Sequence, residues 1–317
     1  MERVIPIMLI YALTVFQKVL GLFLMASAGY VCGKLNIITE DGARQMTSIL
    51  FYVVTPAVIV ASLQGTIGQV TMGSILIAGV AAFAAMFISI AVGTSVFRKN
   101  STERKKVLQF AVIYSNCGFM GLPLAQAVLG SKGVTYASVF NVVLNLIVWT
   151  HGLSMMRGGS KFELKRALFN PGMIGMILGL PLFAFSYHLP DVILSPIQNF
   201  SNLNTPLAMI VIGTYIARIR LGELFKSGKL YCLAALRLLL VPALCFAVLY
   251  PFHLDPCVFT TVLILAAAPS GANAVMFSAQ FGGDVELASK AVALTTIFSL
   301  VTMPLFPVLA NWACSLY

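Results

Sequence analysis

Charge is what this sequence has least of. Asp, Glu, Lys and Arg make up 9% of its 317 residues, against about 25% in a soluble domain. A chain with so little polar surface cannot wet its whole exterior, which excludes the pair of soluble domains its length would otherwise suggest. Carboxylates are scarcer still: all ten lie in loops or at the ends of apolar runs. With no carboxylate in mid-span to relay a proton or hold a cation, a sodium/proton antiporter is disfavoured and an anionic cargo favoured. That absence also leaves proton or sodium coupling without a candidate residue. His151, His188 and His253 lie near the ends of apolar runs, without partners at metal spacing. Cys32, Cys117, Cys232, Cys245, Cys257 and Cys314 are dispersed with no Cys-x-x-Cys pair. The sequence therefore predicts no metal, no cofactor and no acid–base constellation of an enzyme.

What is present is hydrophobic: 59% of the chain. Apolar runs stand at about 16–33, 45–64, 71–97, 107–130, 134–156, 171–188, 197–217, 230–252, 256–281 and 286–312, each near the ~20 residues that cross a bilayer. They predict an all-α integral membrane protein of ten spans. Ala26-Ser27-Ala28 imitates a signal-peptidase site. Lys18 interrupts the run before it, however, and hydrophobicity continues to Gly33, so the first span reads as retained. The breaks carry loop chemistry: Ile38 to Gly42, Arg98 to Lys106, Gly158-Gly159-Ser160 and Gly282-Gly283-Asp284.

The formal charge of +10 is a topology signal rather than a nucleic-acid footprint. Fifteen cations fall in the loops after spans 1, 3, 5 and 7, and only Arg3 and Lys132 on the opposite side. The positive-inside rule then places both termini outside a multi-pass protein of the cytoplasmic membrane.

The two halves read as copies offset by about 150 residues. Thr55-Pro56 corresponds to Thr205-Pro206, and these prolines, Pro56 and Pro206, are expected to break their helices. Asn116-Cys117-Gly118-Phe119-Met120-Gly121-Leu122-Pro123 in span 4 corresponds to Pro269-Ser270-Gly271-Ala272-Asn273 in span 9. Five spans is an odd number, so the second copy is inverted. Residues 1–157 and 171–317 are then the repeats, with a cytoplasmic linker at 158–170. Inverted repeats with Gly/Pro-interrupted helices at matching positions point to a transporter's binding site. Lipid cannot satisfy the freed backbone groups, and a half-helix N-terminus near the midplane favours an anion. Backbone N–H groups near Gly118–Gly121 and Ser270–Ala272 would hold a carboxylate, assisted by the Asn116 and Asn273 amides.

A few polar residues remain inside the spans. Arg237 lies about eight residues into span 8, roughly 12 Å deep at 1.5 Å per residue. It is either a counter-charge, for substrate or for a half-helix C-terminus, or a snorkelling side chain. Asn141 and Asn145 share one face of span 5, and Thr295 and Ser299 one face of span 10. Each pair either lines the crossing or glues helices together. Lys18 reads as an interfacial anchor and Glu286–Lys290 as an i,i+4 pair.

In their order and spacing these stretches resemble the auxin efflux carrier family, which includes plant PIN-type carriers and bacterial malonate and malate permeases. The matching residues are Phe16 to Gly33, Tyr52 to Pro56, Asn116 to Pro123, Asn170-Pro171 with Gly175 and Gly179, Arg237 to Pro242, Ala268 to Asn273, and Glu286-Leu-Ala-Ser with Ser299 to Pro304. The resemblance implies two inverted five-helix repeats with helices 4 and 9 crossing at the substrate, Asn116, Pro123, Pro269 and Asn273 holding the crossover positions. It also implies an elevator in which helices 1, 2, 6 and 7 form a scaffold and 3–5 with 8–10 carry the cargo. The scaffold helices offer a surface for a homodimer. A short central linker resembles the bacterial members and makes auxin an unexpected cargo. The expected partners are a small anionic substrate and the lipid bilayer, with no nucleic acid. The expected function is secondary transport of a mono- or dicarboxylate. The alternative is a membrane sensor that binds the same ligand without net transport.

Overall fold

The computed structural model describes residues 4–99, 102–158, 169–218, 224 and 227–316. Of the linker expected at 158–170, residues 159–168 lie outside them. Among the described residues no strand forms, and thirteen helices account for the architecture: α1 (Val4–Lys34), α2 (Glu40–Gly65), α3 (Met72–Ser95), α4 (Thr102–Ile113), α5 (Cys117–Arg157), α6 (Pro171–Ala184), α7 (Asp191–Asn202), α8 (Asn204–Ala217), α9 (Gly228–Phe252), α10 (Pro256–Ala266), α11 (Asn273–Phe281), α12 (Val285–Thr302) and α13 (Leu305–Cys314). Within α1, α2, α3, α5, α9 and α12 lie six stretches long and apolar enough to cross a membrane; α6, α10 and α13 are apolar but shorter.

Helix starts follow capping chemistry. Thr39, Thr71, Asn170, Asp255 and Asp284 each accept a backbone N–H of the first turn that follows, satisfying donors the helix cannot satisfy itself. Thr39 explains one departure from the expected loops. Its cap, with Glu40 and Asp41 in the first turn, starts α2 at Glu40, several residues before the apolar run. α1 likewise continues upstream of its expected start, to Val4.

Pro56 does not break its helix. It follows a π-helical turn, Leu50–Val54, in which both the N–H and the hydroxyl of Thr55 donate to the Leu50 carbonyl. The same device recurs at Cys117–Gly121 before Pro123 and at Leu236–Leu240 before Pro242. A proline ring crowds the carbonyl four residues back and supplies no N–H. A wider i→i+5 turn just upstream removes the clash and keeps the chain helical. Near Pro206 there is a step in the helix, at Leu203 between α7 and α8.

Two tight seams organise the bundle. α1 lies against α8, where a Cβ on Gly29 or Gly213 would overlap the carbonyl oxygens of Ile210 or Ala26, and Thr214 Oγ1 donates to the Gly29 carbonyl at 3.1 Å. α2 lies against α6, where a Cβ on Gly175 would come within 2.9 Å of Pro56 Cα. Glycines let both backbones approach closely, the usual way helices associate without water. α5 turns back on itself at Gly130 (φ 64°), which leaves residues 117–129 as one arm and 131–157 as the next.

Candidate functional site

Two helices are interrupted inside the bundle, α4 to α5 across residues 114–116 and α10 to α11 across residues 267–272. The interruptions meet. Ser115 and Ser270 form an antiparallel bridge; the Asn116 amide donates to the Pro269 carbonyl at 2.7 Å and the Gly271 amide to the Tyr114 carbonyl at 2.9 Å. Each break thereby satisfies backbone groups of the other. A Cβ on Gly271 would stand 3.1 Å from the Ser115 carbonyl oxygen, so glycine permits this approach. Tyr114 and Ser115 had no place among the expected site residues, because their contribution is backbone. The signal for Ser115 was its adjacency to Asn116 and its serine counterpart at 270.

Further bonds lock the crossing. Ser270 Oγ donates to the Ala111 carbonyl at 2.7 Å, and its amide donates to Thr295 Oγ1 at 3.1 Å. Asn116 caps the next helix through a long bond from the Phe119 amide (3.4 Å), while its carbonyl accepts from Met120 and Gly121. The amides of Phe119, Met120, Gly121, Ser270 and Gly271 are therefore spent internally, a correction to the expected donor set. Among the described residues no backbone carbonyl is paired with the amides of Cys117 and Gly118, which lie against the Cys117 thiol, or with those of Ala272 and Asn273. These four lie at the starts of the two helices that follow the breaks, Ala272 as the N-cap of α11, where N–H groups point out along the axis.

The side chains expected nearby fall as follows. Asn141 and Asn145, both buried, face the first break: Asn141 Oδ1 accepts from Cys117 Sγ at 3.2 Å and from Asn145 Nδ2 at 3.1 Å. Gly118 leaves space toward Asn141, whose Oδ1 would be 3.9 Å from a Cβ there. Gly121 packs tightly on Leu265 of α10, and Pro123 is buried midway along the arm, just after its π turn. Thr295 holds Ser270, and Ser299 Oγ bonds the Thr296 carbonyl and approaches Met120 Sδ. Asn273 opens α11, partly exposed. His151, near the end of its apolar run, reaches the site: its Nδ1 shares a 2.6 Å hydrogen bond with the buried Tyr114 hydroxyl.

Arg237 does not snorkel. It is 1% exposed, and its guanidinium donates to Val112, Ile113, Ala266 and Ala268 carbonyls, the C-terminal ends of α4 and α10. A buried charge is tolerable only when so fully bonded.

Two cavities flank the arm 117–129. One of about 50 Å³ is apolar, between Met120 and Leu124, α1, α8 and Ser299 of α12. The other, about 330 Å³, lies between α2, the arm and α7–α8; Ser62, Gln126, Ser131, Gln198, Asn202 and Asn204 are among its lining residues and none of the lining is charged. That volume is at the lower end of small-molecule sites, about 300–1,000 Å³. Among the described residues no group of His, Cys, Asp and Glu could hold a metal ion.

Comparison with known proteins supplies the context. A family model described as "Membrane transport protein" matches residues 14–164 and 159–307. An "Uncharacterized transporter" of Methanothermobacter thermautotrophicus is 26% identical over 301 residues, covering 92% of this chain and 97% of that protein. A "Putative malonate transporter" of Rhizobium meliloti is 23% identical over 297 residues, covering 90% and 92%.

Proposed function

The chain belongs to the auxin efflux carrier family of membrane transport proteins, and we propose that it carries a small organic anion, a mono- or dicarboxylate, across the cytoplasmic membrane as a secondary active transporter. The observation that carries this reading is the hydrogen-bonded meeting of the two interrupted helices at Ser115 and Ser270. Two helix starts, each worth about +0.5 of an elementary charge, leave the amides of Cys117, Gly118, Ala272 and Asn273 for a carboxylate. Asn116 and Asn273 add side-chain donors, and Asn141 and Asn145 brace the first break. The name of the Rhizobium relative agrees with a dicarboxylate cargo.

In this reading the broken pieces join into ten spans: α4 with the arm 117–129, residues 131–157, α7 with α8, α10 with α11, and α12 with α13, beside α1, α2, α3, α6 and α9. Residues 1–157 and 171–317 are inverted repeats, and both termini face outside. The two glycine seams support this arrangement. Exchanging repeats turns the α1–α8 contact into α6 against α2, which is the other tight seam. Helices α1, α2, α6, α7 and α8 then form the scaffold, which could pair with a second copy. The remainder moves past it as an elevator, with the 330 Å³ cavity lying between the two groups.

Uptake of radiolabelled malonate and related carboxylates into proteoliposomes tests the proposal. Accumulation above protein-free vesicles is expected. Binding without accumulation would replace it with the sensor reading.

A further inference from the structure

Arg237 sits within the π-helical turn of α9, Leu236–Leu240, that precedes Pro242. Its hydrogen bonds reach both interrupted helices: Nε to Ala268 O at 2.9 Å, Nη2 to Ala266 O at 2.7 Å, and Nη1 to Val112 O at 3.1 Å and Ile113 O at 3.4 Å. Among the described residues no carboxylate pairs with it. One positive charge is therefore balanced by backbone carbonyls alone. Each half-helix C-terminus carries about −0.5 of an elementary charge, so two together match one cation. In secondary transporters built from discontinuous helices, this kind of place, half-helix C-terminal carbonyls in the bundle interior, takes a free coupling cation.

We propose that the Arg237 guanidinium is a tethered cation that fills this place, holding the C-terminal ends of α4 and α10 together so that the crossing stays formed without a sodium ion. Arg237 is thus a positioning residue: it acts on the substrate amides only through the two breaks it joins. The planar guanidinium suits the task, because its fork spans carbonyls from two helices at once, whereas a lysine ammonium is a single point. The inference rests on the transporter reading for its flux measurement but not for its binding measurement.

The test compares wild type with Arg237→Ala and Arg237→Lys. Wild-type malonate uptake and melting temperature are expected to be the same in sodium and in choline buffers. Arg237→Ala is expected to lose at least about tenfold in uptake, the scale of one charge-assisted hydrogen bond, and to melt lower. Guanidinium chloride at low millimolar concentration should raise its melting temperature and restore part of its uptake, while urea should do neither. Arg237→Lys keeps the charge in place, so it should fold, transport more slowly and stay indifferent to sodium; it decides the matter if the alanine variant cannot be purified. Wild-type or Arg237→Lys uptake that requires sodium would overturn the proposal. So would a folded Arg237→Ala protein that guanidinium leaves unmoved. Should wild type accumulate nothing in any salt, the transporter reading fails, while guanidinium rescue of melting still reports on the cation's place.

Discussion

The amide of Asn116 donates to the carbonyl of Pro269 at 2.7 Å, so the backbone of the first break is held by the second whatever the side chain at 116. The Asn116 side chain contributes only a long 3.4 Å cap bond to Phe119, and among the described residues Asn273 makes no side-chain hydrogen bond. Alanine at either position should therefore cost little stability, about 0.5–1 kcal/mol for the lost cap and less at 273. Malonate-induced thermal stabilisation and uptake should both disappear. Uptake that survives in both variants would remove these amides from the substrate site.

The seams make a prediction that concerns packing alone. A methyl on Gly213 would overlap the Ala26 carbonyl, whereas a Cβ on Gly21 meets nothing within 4 Å. Gly213→Ala must push α1 and α8 apart and should destabilise by about 1–3 kcal/mol. Gly21→Ala should be neutral or stabilise by about 0.5–1 kcal/mol, because alanine loses less backbone entropy in a helix. Melting temperatures of the two variants in one detergent check this; equal values would mean the seam is looser than it looks.

How much of this was legible in the residues depends on which atoms do the work. The neighbourhood of the interruptions could be read from Asn, Gly and Pro clustered inside apolar runs, although the first break falls at 114–116 and Gly118, Gly121 and Pro123 belong to the helix that resumes at Cys117. The polar faces of Asn141 with Asn145 and of Thr295 with Ser299 could be read from i,i+4 spacing. The partners of Arg237 could not: they are the carbonyls of Val112, Ile113, Ala266 and Ala268, and a carbonyl has no letter. The same limit hid Tyr114 and the spent amides of Ser270 and Gly271. Pro56 misled for a related reason, since the π turn that absorbs it is a choice of hydrogen-bond register, and register is settled by tertiary packing. The early start of α2 was missed because hydropathy registers apolar runs, whereas Thr39 starts the helix by capping it.

Asp284 separates capping from ion pairing. Its Oδ1 accepts the Leu287 amide at 2.9 Å, and its Oδ2 pairs with Arg104 Nε at 3.2 Å, Arg104 being 64% exposed. An exposed pair is worth about 0–1 kcal/mol and an N-cap typically ~1 kcal/mol. Asp284→Ala should therefore destabilise by about 1 kcal/mol, while Arg104→Ala and Asp284→Asn, which keep a capping group, should stay within about 0.5 kcal/mol of wild type. Chemical denaturation at low and high salt measures both. An Asp284→Asn protein as unstable as Asp284→Ala would show that the ion pair matters more than the cap.

Ser270 and Thr295 provide the strictest check on the crossing, because both hold the same segment. Ser270 is fully buried; its hydroxyl satisfies the Ala111 carbonyl and its amide is satisfied by Thr295 Oγ1. Ser270→Ala leaves a buried acceptor without its donor, and Thr295→Val, nearly the same shape, leaves a buried N–H without its acceptor. Each loss should cost about 1–3 kcal/mol. If the break is one mechanical unit, the first substitution already loosens it, and the double variant should fall short of the summed single effects by about 0.5 kcal/mol or more. Uptake should drop in each variant along with stability, since the amides of Ala272 and Asn273 are aimed by this segment. Strict additivity, or single variants with unchanged melting and uptake, would mean that 267–272 is held by something other than these two bonds.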